Sequence, residues 1–102
     1  MYLNPGPTRE EVDALQAPTV LEFGTGWCGF CQGAATSIAA ALKDYPAVQH
    51  IQVEDGPGRP LGRSYRVKLW PTLIFLKNGE EVARLVRPES ADEIRSELAA
   101  IM

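Results

Sequence analysis

The sequence predicts an α/β domain in which helices cover both faces of a central mixed sheet of four or five strands. Two observations carry this prediction. Helical and strand patterns alternate along most of the chain, as they do where helices connect neighbouring parallel strands. Near the end, Asn78-Gly79 separates two apolar runs and is a strong hairpin signal, which adds an antiparallel pair. The 102 residues suit a single domain, 1–102, with one modest core.

The first half of the chain contains two predicted helices and one confident strand. A capping box at 8–11 predicts a short helix from about Arg9 to Gln16. The apolar run from Thr19 to Gly24 predicts a strand that is buried on both faces. Alanine-rich spacing from Cys28 to about Lys43 predicts a longer helix. Before all of these, residues 1–7 indicate an irregular lead-in with room for a short strand at Tyr2-Leu3.

The second half continues the alternation and then forms the hairpin. Partial alternation predicts a strand from Val48 to Glu54, and a turn-rich loop leads into a short helix ending near Tyr65. The hairpin strands are predicted at 72–77 and 81–86. A second capping box, at 90–93, opens a last helix. One apolar stripe of that helix contains Ile94, Leu98 and Ile101.

Composition and charge exclude several classes of function. The hydrophobic fraction of 45% and the charged fraction of 23% are typical of globular domains. The net charge of −3 argues against binding to nucleic acid or to a membrane surface, since such proteins usually carry excess positive charge. We see no secretory signal pattern and no apolar run long enough to span a bilayer. We therefore expect a cytoplasmic protein with no nucleic-acid or membrane partner. We also expect it to be a monomer.

The chain has two cysteines, Cys28 and Cys31, at the predicted start of the longer helix. Disulfide exchange needs one thiolate to attack and a second thiol to resolve the mixed disulfide. A helix N-terminus stabilises a thiolate at Cys28 through its free N–H groups and its dipole. Cys31 lies one turn later on the same face. We therefore expect Cys28 to be an exposed nucleophile and Cys31 to be a more buried resolving thiol.

Two other roles for the cysteines are open. A structural disulfide closing so small a loop would contribute only about 2 kcal/mol, and a reducing cytosol would open it. A metal site needs about four ligands, whereas this chain offers two cysteines and the single histidine, His50. Such a site would have to be shared between two chains.

Three motifs make the chain resemble the thioredoxin family: Trp27-Cys28-Gly29-Phe30-Cys31, Trp70-Pro71-Thr72-Leu73-Ile74-Phe75 and Lys77-Asn78-Gly79-Glu80. The resemblance implies the thioredoxin fold and the reduction of disulfide-containing protein substrates. It also implies a thioredoxin reductase as electron donor, which would bind the nicotinamide. This chain has no Gly-rich dinucleotide fingerprint, and we expect it to need no cofactor of its own.

The resemblance also implies roles for individual residues. Pro71 matches the family's cis-proline beside the cysteines, where the backbone of the preceding residue pairs with substrate. Glu22 matches a buried acid beneath the cysteines. Burial should raise its pKa toward neutrality, so that it can take the proton of Cys31. We hypothesise that His50 pairs with Glu22; the alternative is an ordinary surface histidine.

Several residues depart from the usual family pattern and direct attention to specificity. The family usually has Gly-Pro between its cysteines, where this chain has Gly29-Phe30. Trp70 is larger than the usual residue before the proline, and Arg87 precedes Pro88 where a glycine is common. The predicted substrate-binding residues are Trp27, Gly29, Phe30, Trp70, Pro71 and Arg87. Trp27 and Trp70 would form an aromatic wall beside Cys28.

These departures leave two alternative functions open. One is a specialised thioredoxin-like oxidant or isomerase that serves a single partner. The other is a non-catalytic binding module. A basic cluster of Arg59, Arg63, Arg66 and Lys68 is either a rim that selects an acidic partner or an ordinary solvated face.

Overall fold

The computed structural model describes residues 1–102 and contains four helices and four strands. In chain order they are α1 (Arg9–Asp13), β1 (Thr19–Gly24), α2 (Gly29–Lys43), β2 (Gln49–Glu54), α3 (Pro60–Ser64), β3 (Thr72–Lys77), β4 (Glu80–Val86) and α4 (Ala91–Ala100). The strand order is β2-β1-β3-β4. β1 and β2 are parallel, and the other two pairs are antiparallel. The predicted mixed α/β sheet is therefore confirmed, and of the four or five strands expected it has four.

Buried side chains form one layer on each face of the sheet. β3 shows the division most clearly, because Leu73 and Phe75 point to one face while Ile74 and Leu76 point to the other. The first layer packs beneath α2 and α4 and includes Val20, Ala34, Ile38, Ile94, Leu98 and Ile101. The second packs beneath α1 and α3 and includes Val12, Leu21, Phe23, Leu61 and Tyr65. Every residue of β1 is buried, so this strand is covered on both faces as predicted.

Local signals account for most of the boundaries. Both predicted capping boxes are present, at Thr8 with Glu11 and at Ser90 with Glu93. Asn78 and Gly79 both have positive φ, 52° and 78°, as a two-residue hairpin turn requires. None of the helices is both long enough and apolar enough to cross a membrane.

Two terminal elements differ from the sequence prediction. α1 ends at Asp13 rather than Gln16, because the Leu15 N–H turns back to the Val12 carbonyl oxygen at 3.1 Å and tightens the last turn. The short strand predicted at Tyr2-Leu3 is an isolated parallel bridge from Leu3 to Val53. Leu3 donates to the Gln52 carbonyl at 2.8 Å and accepts from the Glu54 N–H at 2.9 Å. The N-terminal segment is thereby held against the outer edge of β2.

Candidate active site

The two cysteines lie where β1 has ended and α2 begins. Cys28 is the N-cap of α2, and its Sγ accepts a hydrogen bond from the backbone N–H of Cys31 at 3.2 Å. Both are free thiols in the structure. The helix N-terminus therefore directs a backbone donor at the Cys28 sulfur.

The prediction that Cys28 is exposed is wrong. Its exposed fraction is 7%, against 3% for Cys31, so both are buried although their order is as expected. The Cys28 side chain turns inward to meet the Cys31 N–H, and its Sγ lies 4.0 Å from the carbonyl oxygen of Trp70. Any group that reaches the Cys28 sulfur must therefore pass close to the Trp70-Pro71 segment, whose peptide bond is cis.

Trp27 and Trp70 form the predicted aromatic wall next to the cysteines. Their ring centroids are 5.8 Å apart with the planes at 81°, an edge-on arrangement. Trp27 is 75% exposed. Trp70 is fixed by a hydrogen bond of 2.9 Å from its Nε1 to Oδ2 of Asp55. The wall thus has one anchored ring and one ring open to solvent.

Arg87 contacts two other residues that depart from the family pattern, Phe30 and Trp70. Its guanidinium lies 3.8 Å from the centre of the Phe30 ring, a cation–π contact. Its Nε donates to the Trp70 carbonyl oxygen at 2.9 Å. The backbone of Arg87 has a φ of 51°, which residues other than glycine rarely adopt. Its N–H donates to the Pro71 carbonyl oxygen at 2.9 Å. We call Phe30, Arg87 and Trp70 the arginine bridge.

Gly29, the remaining predicted substrate-binding residue, opens the first turn of α2 between the cysteine N-cap and Phe30. A Cβ built at this position would have no heavy atom within 4 Å. Space therefore does not require a glycine at position 29.

Glu22 is 2% exposed, in the middle of β1. The structure places His50 beside it as hypothesised, with Nε2 2.7 Å from Oε1. The other carboxylate oxygen accepts a hydrogen bond from the Tyr2 hydroxyl and one of 3.4 Å from Gln52 Nε2. His50 and Gln52 alternate along β2, so both present their side chains to the face that holds Glu22.

The prediction that burial would raise the pKa of Glu22 toward neutrality is wrong. Burial acts in that direction, but the hydrogen bonds from His50 and Tyr2 outweigh it and lower the pKa below its ordinary value. Sequence reasoning found one of these partners and missed the others. Glu22 is consequently a buried carboxylate that stays ionised at neutral pH.

This lowered pKa predicts an acid-sensitive contribution to stability. A carboxyl whose pKa is lower in the folded state adds stability above its unfolded pKa, here near the ordinary value of 4.5, and loses it as the pH falls through the folded value. We expect Glu22→Gln to lower the free energy of unfolding at pH 7 by roughly 1–3 kcal/mol, and by less at pH 3. Urea unfolding at both pH values measures this, with exposed Glu10→Gln as control. A deficit that is equal at both values would contradict it.

Tyr2, like Gln52, is a residue of this site that sequence reasoning missed. Its hydroxyl donates a hydrogen bond to Glu22 and borders the same small space as the Cys31 sulfur. Burial and the neighbouring Cys28 thiol raise the pKa of Cys31 to about 11, while the Tyr2 hydroxyl and a Thr25 backbone N–H act to lower it. The only signal in the sequence was the possible strand at Tyr2-Leu3, which did not indicate where the ring would point.

The basic cluster surrounds a pocket of about 550 Å³ that Trp70 and Asp55 also line. Arg59 forms an ion pair with Glu54, whereas Arg63, Arg66 and Lys68 form none. The three unpaired cations therefore lie near the aromatic wall, on a protein of net negative charge.

The alternative metal site would be shared between two chains and would use the cysteines and His50. No three side chains of histidine, cysteine, aspartate or glutamate come close enough together to hold one ion. His50, the third ligand which that alternative required, is bonded to Glu22 instead.

Comparison with known proteins agrees with this geometry. A family model described as Thioredoxin matches residues 3–100. Thioredoxin H5 of Oryza sativa subsp. japonica is 37% identical over 79 residues, which are 78% of this chain and 58% of that protein. The chloroplastic M-type thioredoxin of Spinacia oleracea is 29% identical over 87 residues, 82% of this chain and 47% of that protein. The match thus spans only about half the length of these relatives.

Solved structures are similar over more of their length. The reduced form of thioredoxin 2 from Pseudomonas aeruginosa PAO1 is 53% identical, with a TM-score of 0.88 over 98% of this chain and 93% of that one. Thioredoxin of Fasciola hepatica is 26% identical, with a TM-score of 0.73 over 91% and 86%. Together with the family model, which matches nearly the whole chain, these similarities show that the chain belongs to the thioredoxin family.

Proposed function

We propose that this chain is a protein-disulfide reductase that works by dithiol–disulfide exchange. The observation that carries the proposal is the Cys28 sulfur at the N-terminus of α2, with the Cys31 N–H 3.2 Å away as a donor. Cys28 attacks a substrate disulfide, forms a mixed disulfide and releases the first substrate thiol. Cys31 then attacks Cys28, closes the intramolecular disulfide and releases the second.

Glu22 serves the second step in this proposal. Cys31 must lose a proton to attack, and its pKa of about 11 makes that loss unfavourable at neutral pH. The ionised carboxylate of Glu22 is the buried acceptor for this proton, and His50 holds it in place from the solvent side.

Insulin reduction tests the proposed function. With dithiothreitol as donor, we expect the chain to accelerate precipitation of the insulin B chain well above the rate without protein. We also propose a thioredoxin reductase as the physiological donor, so NADPH should be consumed when such a reductase is added. No acceleration with either donor would overturn the proposal.

We also propose that the protein works in the cytoplasm, because reducing conditions there suit a dithiol. We propose that its working form is a monomer.

We propose that the arginine bridge restricts which substrates reach Cys28. An extended substrate chain beside Cys28 needs backbone partners, and the Trp70 carbonyl is an acceptor that Arg87 already occupies. A substrate must therefore displace Arg87 or forgo this hydrogen bond.

Freeing the Trp70 carbonyl should make the protein less selective. We expect Arg87→Gly to raise kcat/KM for insulin by about fivefold, since one net hydrogen bond contributes about 1 kcal/mol. Glycine also accepts the φ of 51° at this position. The control is Arg84→Ala, which removes an arginine paired with Glu81 on the hairpin. An unchanged or lower kcat/KM for Arg87→Gly contradicts the restriction.

We propose that the unpaired cations around the 550 Å³ pocket select substrates with acidic residues near the disulfide. The double variant Arg63→Glu/Lys68→Glu should lose about tenfold in kcat/KM for a peptide disulfide flanked by acidic residues. The loss should shrink at high salt, because exposed charges are screened. A peptide with neutral flanks is the control. Equal losses for both peptides would show that the cluster is an ordinary solvated face.

A further inference from the structure

Tyr2 occupies a fixed position beneath the cysteines although it lies near the chain terminus. The bridge from Leu3 to β2 holds the segment on one side. On the other, the terminal amino group of Met1 donates to Oε1 of Gln52 at 2.9 Å. The Tyr2 ring therefore has a defined direction, across the end of β2 toward β1 and α2.

The Tyr2 hydroxyl borders both the carboxylate and the resolving thiol. It donates a hydrogen bond to Oε2 of Glu22. A Cβ built on Gly24 would lie 2.6 Å from the Cys31 sulfur and 2.9 Å from the Tyr2 hydroxyl oxygen, so these two atoms border the same small space. The absence of a side chain at Gly24 is what lets the thiol and the hydroxyl approach each other.

These groups line one cavity of about 340 Å³ between α2 and β2. Its titratable residues are Tyr2, Glu22 from β1, Cys31 from α2 and His50 from β2. The side chain of Thr25 also lines it, with a buried hydroxyl that has no partner. A proton that leaves Cys31 therefore enters a cavity in which the Tyr2 hydroxyl is hydrogen-bonded to the acceptor, Glu22, and borders the same small space as the donor.

We propose that Tyr2 is a proton-transfer residue which carries the proton of Cys31 to Glu22 during the resolving step. This inference rests on the proposed function. The Cys31 sulfur bonds to the Cys28 sulfur while the bond from Cys28 to substrate breaks, and the electron pair leaves with the substrate sulfur as a thiolate. The Cys31 proton passes to the Tyr2 oxygen as the Tyr2 proton passes to Oε2 of Glu22. The dithiol is oxidised by two electrons, and the substrate disulfide is reduced by the same two.

The attack by Cys28 has no part in this relay, so the two chemical steps should respond differently to the loss of the Tyr2 hydroxyl. Reaction with the aromatic disulfide dithiobis(nitrobenzoate) separates them, because each step releases one coloured thiolate. The first release is bimolecular and accelerates with reagent concentration. The second release is the intramolecular attack by Cys31, and its rate does not depend on reagent concentration. With excess reagent the first release is fast, so stopped flow resolves the second release separately.

We expect Tyr2→Phe to slow the second release by about tenfold or more at pH 7, within the usual range for general acid–base catalysis, and to leave the first unchanged. The deficit should narrow as the pH rises toward about 11, where Cys31 ionises without help. Glu22→Gln should slow the same release. The double variant should be no slower than the slower single variant, because the two groups act in series.

Tyr65→Phe is the matched control, since it removes a buried hydroxyl that has no partner, in the opposite core layer. It should leave both releases unchanged. A circular dichroism spectrum that matches the wild type shows that Tyr2→Phe is folded. The relay is overturned if the second release of Tyr2→Phe equals that of the wild type at every pH, or if the Tyr2 and Glu22 effects multiply in the double variant. Absence of a second release in the wild type would instead overturn the proposed function.

Discussion

Replacing Cys28 by serine is expected to reduce the rate of insulin reduction to that without protein. A serine hydroxyl does not attack disulfides, and Cys31 is a poor substitute. Cys31 is only 3% exposed, and with a pKa of about 11 only about one thiol in ten thousand is ionised at pH 7. Turbidity with dithiothreitol as donor measures the loss.

Ser37→Ala is a suitable control for this variant, because Ser37 lies on α2 outside the cysteine turn and makes no side-chain hydrogen bond to the cysteines. It should reduce insulin at the wild-type rate. Substantial turnover by Cys28→Ser would contradict the assignment of the nucleophile. It would mean that Cys31 attacks substrate directly, despite its burial.

Replacing Cys31 by serine should abolish turnover in a different way. Cys28 remains free to attack, but nothing in the chain resolves the mixed disulfide, so the covalent adduct with substrate accumulates. Intact mass spectrometry under non-reducing conditions should show nearly stoichiometric adduct on Cys31→Ser, and little on the wild type. Added dithiothreitol should release it.

The double variant Cys28→Ser/Cys31→Ser is the control for adventitious adducts, because the chain has no other cysteine. It should remain unmodified. Failure of Cys31→Ser to trap substrate would contradict the two-step exchange. It would favour the non-catalytic binding module, since the fold would then bind partners without forming a covalent bond to them.

Most of the fold could be predicted because its signals are local. The hairpin needs positive φ at two adjacent positions, which Asn78-Gly79 supplies, and both capping boxes satisfy backbone N–H groups within four residues. β1 is buried on both faces, which its apolar run indicated directly. The end of α1 was harder to place, since nothing in 14–16 forbids a helix.

The chemistry of the site was less predictable because it depends on contacts between distant segments. The pKa of Glu22 reflects a balance between burial and partners 20 and 28 residues away in sequence, Tyr2 and His50. Its burial could be inferred from the apolar strand around it, but only one of these partners was proposed. Desolvation considered without these hydrogen bonds predicts the wrong direction of the pKa shift.

The contacts of the arginine bridge could not be predicted either, because they too join segments that are distant in sequence. The sequence identified Phe30, Trp70 and Arg87 as unusual, and the structure brings all three together. Because the three residues are far apart along the chain, the sequence did not predict that Arg87 contacts the other two. A cation–π pair and a hydrogen bond to a carbonyl leave no pattern in sequence spacing.

The reduction potential of the Cys28–Cys31 pair tests the central claim most directly. Equilibration with redox buffers of known potential, followed by alkylation of free thiols and mass spectrometry, gives this value. A reductant of protein disulfides should have a reduction potential of about −270 mV. A value of about −120 mV is that of a strong oxidant. We predict the first value. The second would contradict the proposed reductase and favour a specialised thioredoxin-like oxidant.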